Sequence, residues 1–195
     1  MPIKIVCLGD SLTYGFGVSR RDTWGSLVAE RTKMELVNCG VNGDTTGGML
    51  ARLRDEMTMH SPDKVLLMGG SNDIFISGTA ESAKANMSAL AHQVIALGAV
   101  PLIGTPPPID ALNIRPDWAT LADAVHAQNV GDEYAEWLRL FAGVFTIPVI
   151  DFRSAFQAFS DAERNRELYI DGLHPTPEGH RLMADVLCRG LSGER

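Results

Sequence analysis

Ile3-Lys4-Ile5-Val6-Cys7-Leu8-Gly9-Asp10-Ser11-Leu12 lies at the start of the chain and decides its fold class. Ile3–Leu8 is a nearly continuous apolar run, the pattern of a strand covered on both faces. The run stops at Gly9-Asp10-Ser11, where glycine permits a sharp turn and Asp and Ser both favour the cap of a following helix. The same arrangement recurs outward along the chain. Glu35–Asn38, Val65–Met68, Val100–Ile103 and Val144–Ile150 read as further strands, the last an edge strand because it contains Pro148. Between them the spacing predicts helices from a Thr23 cap through Lys33, over Thr46–Met57, over Thr79–Leu97, over Asp117–Phe141 (in two pieces if Gly131 interrupts it) and over Pro177–Leu191. Pro106-Pro107-Pro108 marks a rigid loop. Five short strands alternating with helices imply an α/β fold, a parallel sheet covered on both faces. Such sheets bind ligands beyond the carboxyl ends of their strands, near the point where strand order reverses.

Composition narrows the function. The chain has 195 residues, 45% of them hydrophobic, and a formal net charge of −7. That length suits one domain, 1–195, with no disulfide or metal needed to staple it. An acidic surface disfavours nucleic acid and anionic membranes. The three cysteines, Cys7, Cys39 and Cys188, form no Cys-x-x-Cys motif and suit a reducing compartment. No apolar run reaches the roughly 20 residues of a membrane helix, and Ile5–Leu8 is too short for a signal sequence. The expected location is cytoplasmic; a chain whose leader had been cut away would read the same. A P-loop, a His-Glu-x-x-His zinc motif and a Gly-x-Ser-x-Gly elbow are all missing, so neither a metal nor a cofactor is indicated.

The residues after the strands carry the chemistry. They are Gly9-Asp10-Ser11-Leu12, Gly40-Val41-Asn42-Gly43-Asp44, Gly69-Gly70-Ser71-Asn72-Asp73 and, after the fifth strand, Asp171-Gly172-Leu173-His174-Pro175. A serine hydroxyl is a weak nucleophile until a base takes its proton. An imidazole, with an ordinary pKa of about 6.5, suits that task at neutral pH, which nominates His174. Asp171, three residues earlier, can reach the His174 Nδ1–H and set its tautomer. An attacked carbonyl also needs donors for its oxyanion. The Ser11 and Gly43 backbone N–H groups and the Asn72 amide are available. Taken singly, each has a plainer explanation: Ser11 or Asp10 as a helix cap, Gly43-Asp44 and Asn72-Asp73 as turns. Their joint placement beyond successive strands favours the catalytic reading. His60, His92, His126 and His180 read as surface or core residues.

These blocks resemble those of the SGNH hydrolase superfamily, the GDSL lipases and esterases. Gly9-Asp10-Ser11-Leu12 is similar to its first block, Gly43 to its second, Gly70-Ser71-Asn72-Asp73 to its third and Asp171-x-x-His174 to its last. Gly43-Asp44-Thr45-Thr46 followed by Leu50-Ala51-Arg52-Leu53 looks particularly like the bacterial arylesterase and acyl-thioesterase (lysophospholipase) branch. The resemblance implies a three-layer α/β/α, flavodoxin-like fold with a five-stranded parallel sheet in the order 2-1-3-4-5. It implies cofactor-free hydrolysis of acyl esters or thioesters, with Ser11, His174 and Asp171 as the triad and Ser11, Gly43 and Asn72 as the oxyanion hole.

Leu12, Phe75, Ile76 and Ile109, together with Leu112, Ile114 and Trp118, are candidates for an apolar acyl-binding wall, or for sealing the core beneath the loops. Short or medium acyl chains are expected. Two other readings compete: a carbohydrate O-deacetylase of the same family, and a non-catalytic flavodoxin-like binding module.

Overall fold

The structure, a computed structural model, describes residues 2–159 and 167–193. Five parallel strands are ordered β2-β1-β3-β4-β5: β1 Lys4–Gly9, β2 Glu35–Gly40, β3 Lys64–Met68, β4 Val100–Gly104 and β5 Val149–Ile150. The order is the one the resemblance implied. Alternate side chains point to opposite faces of each strand, and the core divides accordingly. Val6, Leu8, Val65, Leu67 and Ile103 pack in one layer with Leu53, Met87, Leu90 and Leu138. Ile5, Cys7, Leu66, Met68 and Leu102 pack in the other with Val28, Phe152, Met183 and Leu187. The first layer belongs to α3 Thr46–His60, α5 Glu81–Ala96 and α7 Ala124–Phe145. The second belongs to α2 Trp24–Thr32, α8 Phe152–Gln157 and α9 Pro177–Ser192. Two short helices, α1 Ser11–Tyr14 and α4 Ser71–Ser77, start directly after β1 and β3, and α6 Pro116–Ala119 lies in the loop after β4. No helix among the described residues is long and apolar enough to cross a membrane.

Three local expectations are corrected. The strand expected over Val144–Ile150 shrinks to Val149–Ile150, because α7 continues to Phe145 and ends with Thr146 in a left-handed cap. Alternation of apolar residues there belongs to the last helical turn, not to a strand. The helix expected over Asp117–Phe141 does break, but between Ala119 and Ala124, where the Asp123 side chain caps the His126 N–H. Gly131 stays helical, and the Arg153 guanidinium occupies the space a side chain would fill. Finally, Ser71–Ser77 is helical, and the helix expected from Thr79 starts at Glu81.

Candidate active site

The strand order reverses at β1 and β3, so the crevice predicted for a ligand opens between the residues that follow them. Ser11 stands there at the first position of α1. The capping ambiguity between Asp10 and Ser11 is resolved by their side chains: Asp10 Oδ1 accepts the Leu12 N–H at 2.9 Å. Asp10 caps the helix, and the Ser11 hydroxyl is left for another partner. That partner is His174: Ser11 Oγ lies 3.0 Å from Nε2, across 163 residues of chain. On the other side of the ring, Nδ1 lies 2.8 Å from Asp171 Oδ2. With Ser11 8%, His174 7% and Asp171 4% exposed, this file of hydroxyl, imidazole and carboxylate is shielded from water except at its mouth.

Asp171 and His174 sit on a small hairpin rather than on a strand end. Tyr169 bridges Pro175, Ile170 N–H donates to His174 O at 2.8 Å, and Thr176 N–H donates to Leu168 O at 2.9 Å. Burial pushes the Asp171 carboxyl up. Bonds from the His174 ring and from the His174 and Leu173 N–H groups outweigh it and hold the carboxyl well below the usual range. Asp171 is therefore an anion that fixes the ring tautomer, with its proton on Nδ1 and its acceptor on Nε2 facing Ser11.

Asp10 shows the opposite balance. Burial pushes its carboxyl up to about 7, and Asp44 and Asp73 add repulsion, against the Leu12 N–H and the His174 ring. Its Oδ2 has no partner among the described residues.

The three expected oxyanion donors converge on one cavity of about 300 Å³ lined by Ser11, Gly43, Asn72 and His174. The Ser11 N–H, first in its helix, has no intrahelical acceptor. Above Gly43, which has φ +75°, a side chain would meet nothing within 4 Å, so its backbone is open to the cavity. The Asn72 amide donates to Asp44 O at 2.8 Å. A carboxamide has two N–H donors, so the bond to Asp44 O uses one and leaves a second.

The loop that carries Gly43 is tied to β1 by Arg52. Its Nε donates to Asp44 Oδ2 at 2.9 Å, its Nη2 to Gly9 O at 2.9 Å and its Nη1 to Glu56 Oε1 at 3.1 Å. Cys39, Glu56 and His60 bring possible ligand atoms within 4.8 Å of one another. Two features oppose a metal: Glu56 is engaged by both the Cys39 thiol and the Arg52 cation, and burial pushes the thiol up to about 12, away from the thiolate a metal needs. The trio is a strut beneath Arg52.

Of the expected wall residues, Leu12, Phe75, Ile76, Ile109 and Trp118 line the cavity. Leu12 and Phe75 also close the core, whereas Ile76, 72% exposed, forms the rim. Leu112 and Ile114 do not line it: Leu112 is 89% exposed, and Ile114 packs against the core. Sequence reasoning missed Phe16, Leu121 and Leu173, whereas Pro107 and Pro108 of the rigid loop do line the cavity. Phe16 matters most, since its ring lies 4.4 Å from the His174 ring, centroid to centroid. Only its closeness to Ser11 in the chain could have suggested it. A second omission concerns Trp118, whose Nε1 donates to Asp171 Oδ2 at 3.1 Å.

A serine–imidazole–carboxylate file beside a cluster of hydrogen-bond donors, at the carboxyl edge of a 2-1-3-4-5 sheet, defines a hydrolase of the serine type, able to cleave carboxylic esters or thioesters. The chain belongs to the GDSL-like lipase/acylhydrolase family, whose model matches residues 7–182. It is 37% identical over 75 residues to an arylesterase of Vibrio mimicus, a match covering 36% of this chain and 38% of that one. It is 24% identical over 191 residues to thioesterase 1/protease 1/lysophospholipase L1 of Escherichia coli, covering 96% of this chain and 82% of the relative. In three dimensions it is similar to the aryl esterase of M. smegmatis, with a TM-score of 0.81 at 21% identity, covering 99% of this chain and 100% of the other. Family membership disfavours the non-catalytic binding module.

Proposed function

We propose that this protein hydrolyses short- to medium-chain acyl esters and thioesters, with Ser11 as nucleophile, His174 as general base and acid, and Asp171 as its orienting anion. The 3.0 Å approach of Ser11 Oγ to His174 Nε2 carries the reading. His174 takes the hydroxyl proton as Oγ attacks the acyl carbonyl. The Ser11 and Gly43 N–H groups and the free Asn72 N–H hold the resulting oxyanion. The intermediate collapses, the C–O or C–S bond breaks, and the leaving alcohol or thiol takes the proton from His174. Water, deprotonated by the same imidazole, then cleaves the acyl-enzyme and releases the acid.

The cavity supports the substrate class. Its walls are Leu12, Phe16, Phe75, Ile109 and Trp118, carbon-rich side chains suited to an acyl chain or an aromatic leaving group. A sugar would turn many of its hydroxyls toward those carbon walls, with Asn42, Thr45 and Ser71 as the further polar lining, which disfavours the deacetylase reading. The arylesterase and thioesterase names of the relatives point the same way.

A fluorophosphonate should label Ser11, and Ser11→Ala should abolish hydrolysis of p-nitrophenyl acetate with the fold intact by circular dichroism. Turnover surviving in that variant would reject the assignment. Comparison of p-nitrophenyl esters of increasing length, acyl-CoA thioesters and acetylated sugars should rank the sugars last.

A further inference from the structure

The hairpin bearing Asp171 and His174 is held from outside by a strap, residues 110–118. Asp110 N–H donates to Gly172 O at 2.9 Å and Arg115 N–H donates to Asp171 O at 2.9 Å. The approach is close: a side chain at Gly172 would lie 2.7 Å from Ile114 Cα. The Arg115 guanidinium lies 4.8 Å over the Trp118 ring and grips Asp117 through Nε at 2.6 Å and Nη2 at 2.8 Å. The indole is thus clamped on one face while its other edge reaches the triad.

We propose that Trp118 is a positioning residue of the triad, its indole N–H holding the Asp171 carboxylate in the orientation that serves His174. The proposal rests on the catalytic reading of Ser11, His174 and Asp171. The carboxylate is held at both oxygens. Oδ1 accepts the Leu173 N–H at 3.1 Å and the His174 N–H at 2.9 Å; Oδ2 accepts His174 Nδ1 at 2.8 Å and Trp118 Nε1 at 3.1 Å. Only two of these bonds reach Oδ2, and the one from Trp118 comes from outside the hairpin. A residue needed merely as a wall would offer its ring face to the cavity and leave Nε1 to solvent. Trp118 lines the cavity and also bonds Asp171, so the cavity wall and the brace of the proposed base are one side chain.

The bond also draws charge from the oxygen that faces the imidazole. The charged groups near the pair are Arg115, whose Nη1 lies 4.0 Å from Asp171 Oδ2, its partner Asp117, and Asp10 on the β1–α1 turn. The test leaves all of them in place.

Replacing Trp118 by 3-benzothienylalanine keeps the bicyclic shape and removes only the N–H; Trp118→Phe is the conventional companion. With p-nitrophenyl acetate, kcat should fall about tenfold in both, as expected for the loss of a bond to a charged group. KM of the benzothienyl variant should stay within about twofold. A benzothienyl variant with the kcat of the native enzyme overturns the proposal, whatever Trp118→Phe does. A native enzyme that fails to take the fluorophosphonate at Ser11 overturns the underlying catalytic reading instead, so the two failures are told apart.

Discussion

Ser11, Gly43 and Asn72 follow the ends of β1, β2 and β3 within a few residues, whereas Asp171 and His174 lie well beyond the two-residue β5 on their own hairpin. The half with Ser11, the proposed nucleophile, inherits its rigidity from the sheet: a displacement of Ser11 would have to move β1, whose neighbours β2 and β3 bond it along its length. The half with the proposed base lies on a turn with no strand beneath it, although Leu168 and Tyr169 at the foot of its hairpin join the second core layer. It is held by Asp110, Arg115 and Trp118 from a segment that itself contains only the four-residue α6. The proposed active site thus combines a half supported by the sheet and a half whose turn is supported by hydrogen bonds between loops. The second should be easier to disturb without unfolding the protein.

Substitutions can test this contrast. The largest effect is expected at the junction of the halves. His174→Ala should reduce kcat about 10⁴-fold or more, to the depth of Ser11→Ala, since triad members act as a unit. A much smaller loss would mean the two halves act separately. Asn72→Ala, on the sheet-supported half, should lower kcat by about 10²–10³ with little change in KM. A change confined to KM would remove Asn72 from the oxyanion hole.

A pair of glycine substitutions measures the two foundations directly. Gly172→Ala places a methyl against the backbone of Ile114 at a residue with φ +84°, so it should push the strap away and lower kcat more than tenfold. Gly43→Ala meets open space and keeps its N–H, so only the left-handed backbone is strained, at a cost of about 1 kcal/mol of stability. Equal losses of activity in the two variants would erase the contrast.

The smallest effects are on stability and carry opposite signs. Burial pushes the Asp10 carboxyl up to about 7, so the folded protein keeps that proton while an unfolded chain releases it near its ordinary pKa of about 4. Stability therefore falls as pH rises through that window. Asp10→Asn, which retains the cap, should raise stability at pH 8 by about 2 kcal/mol and change it little at pH 4. Asp171 has its carboxyl lowered. Its contribution is present above the ordinary carboxylate pKa and is lost as pH falls below it, and Asp171→Asn should destabilise at pH 8 by about 1–3 kcal/mol. Thermal unfolding across pH reads both; shifts of the same sign at pH 8 would contradict the electrostatic account of the two halves.

Much of the nucleophile half was legible in the chain. Apolar runs ending in Gly9, Gly40 and Gly69 mark strand ends, and Ser11, Gly43 and Asn72 follow each within a few residues. The pairing of Asp171 with His174 was equally local. Errors arose where a local pattern admits two periods. Val144–Ile150 contains enough branched residues to read as a strand, yet its first two residues complete the last turn of a long helix packed through Leu138, Phe141 and Ala142. Gly131 looked like a helix breaker, but Arg153, distant in sequence, packs on it. Leu112 and Ile114 have the composition of a pocket wall, and only the course of the strap sends one to solvent and the other to the core.

The chain by itself determined the fold class, the strand ends and the chemical types in the site, because each depends on periodicity and turn chemistry within a few residues. The tertiary structure decided that Asp10 rather than Ser11 serves as the cap, that Phe16 packs on the His174 ring, and that Trp118 braces Asp171. The last contact joins residues 53 positions apart and the Ser11–His174 bond joins residues 163 apart. Local propensity carries no information about which distant side chain will arrive within hydrogen-bonding range; sheet order and layer packing settle that.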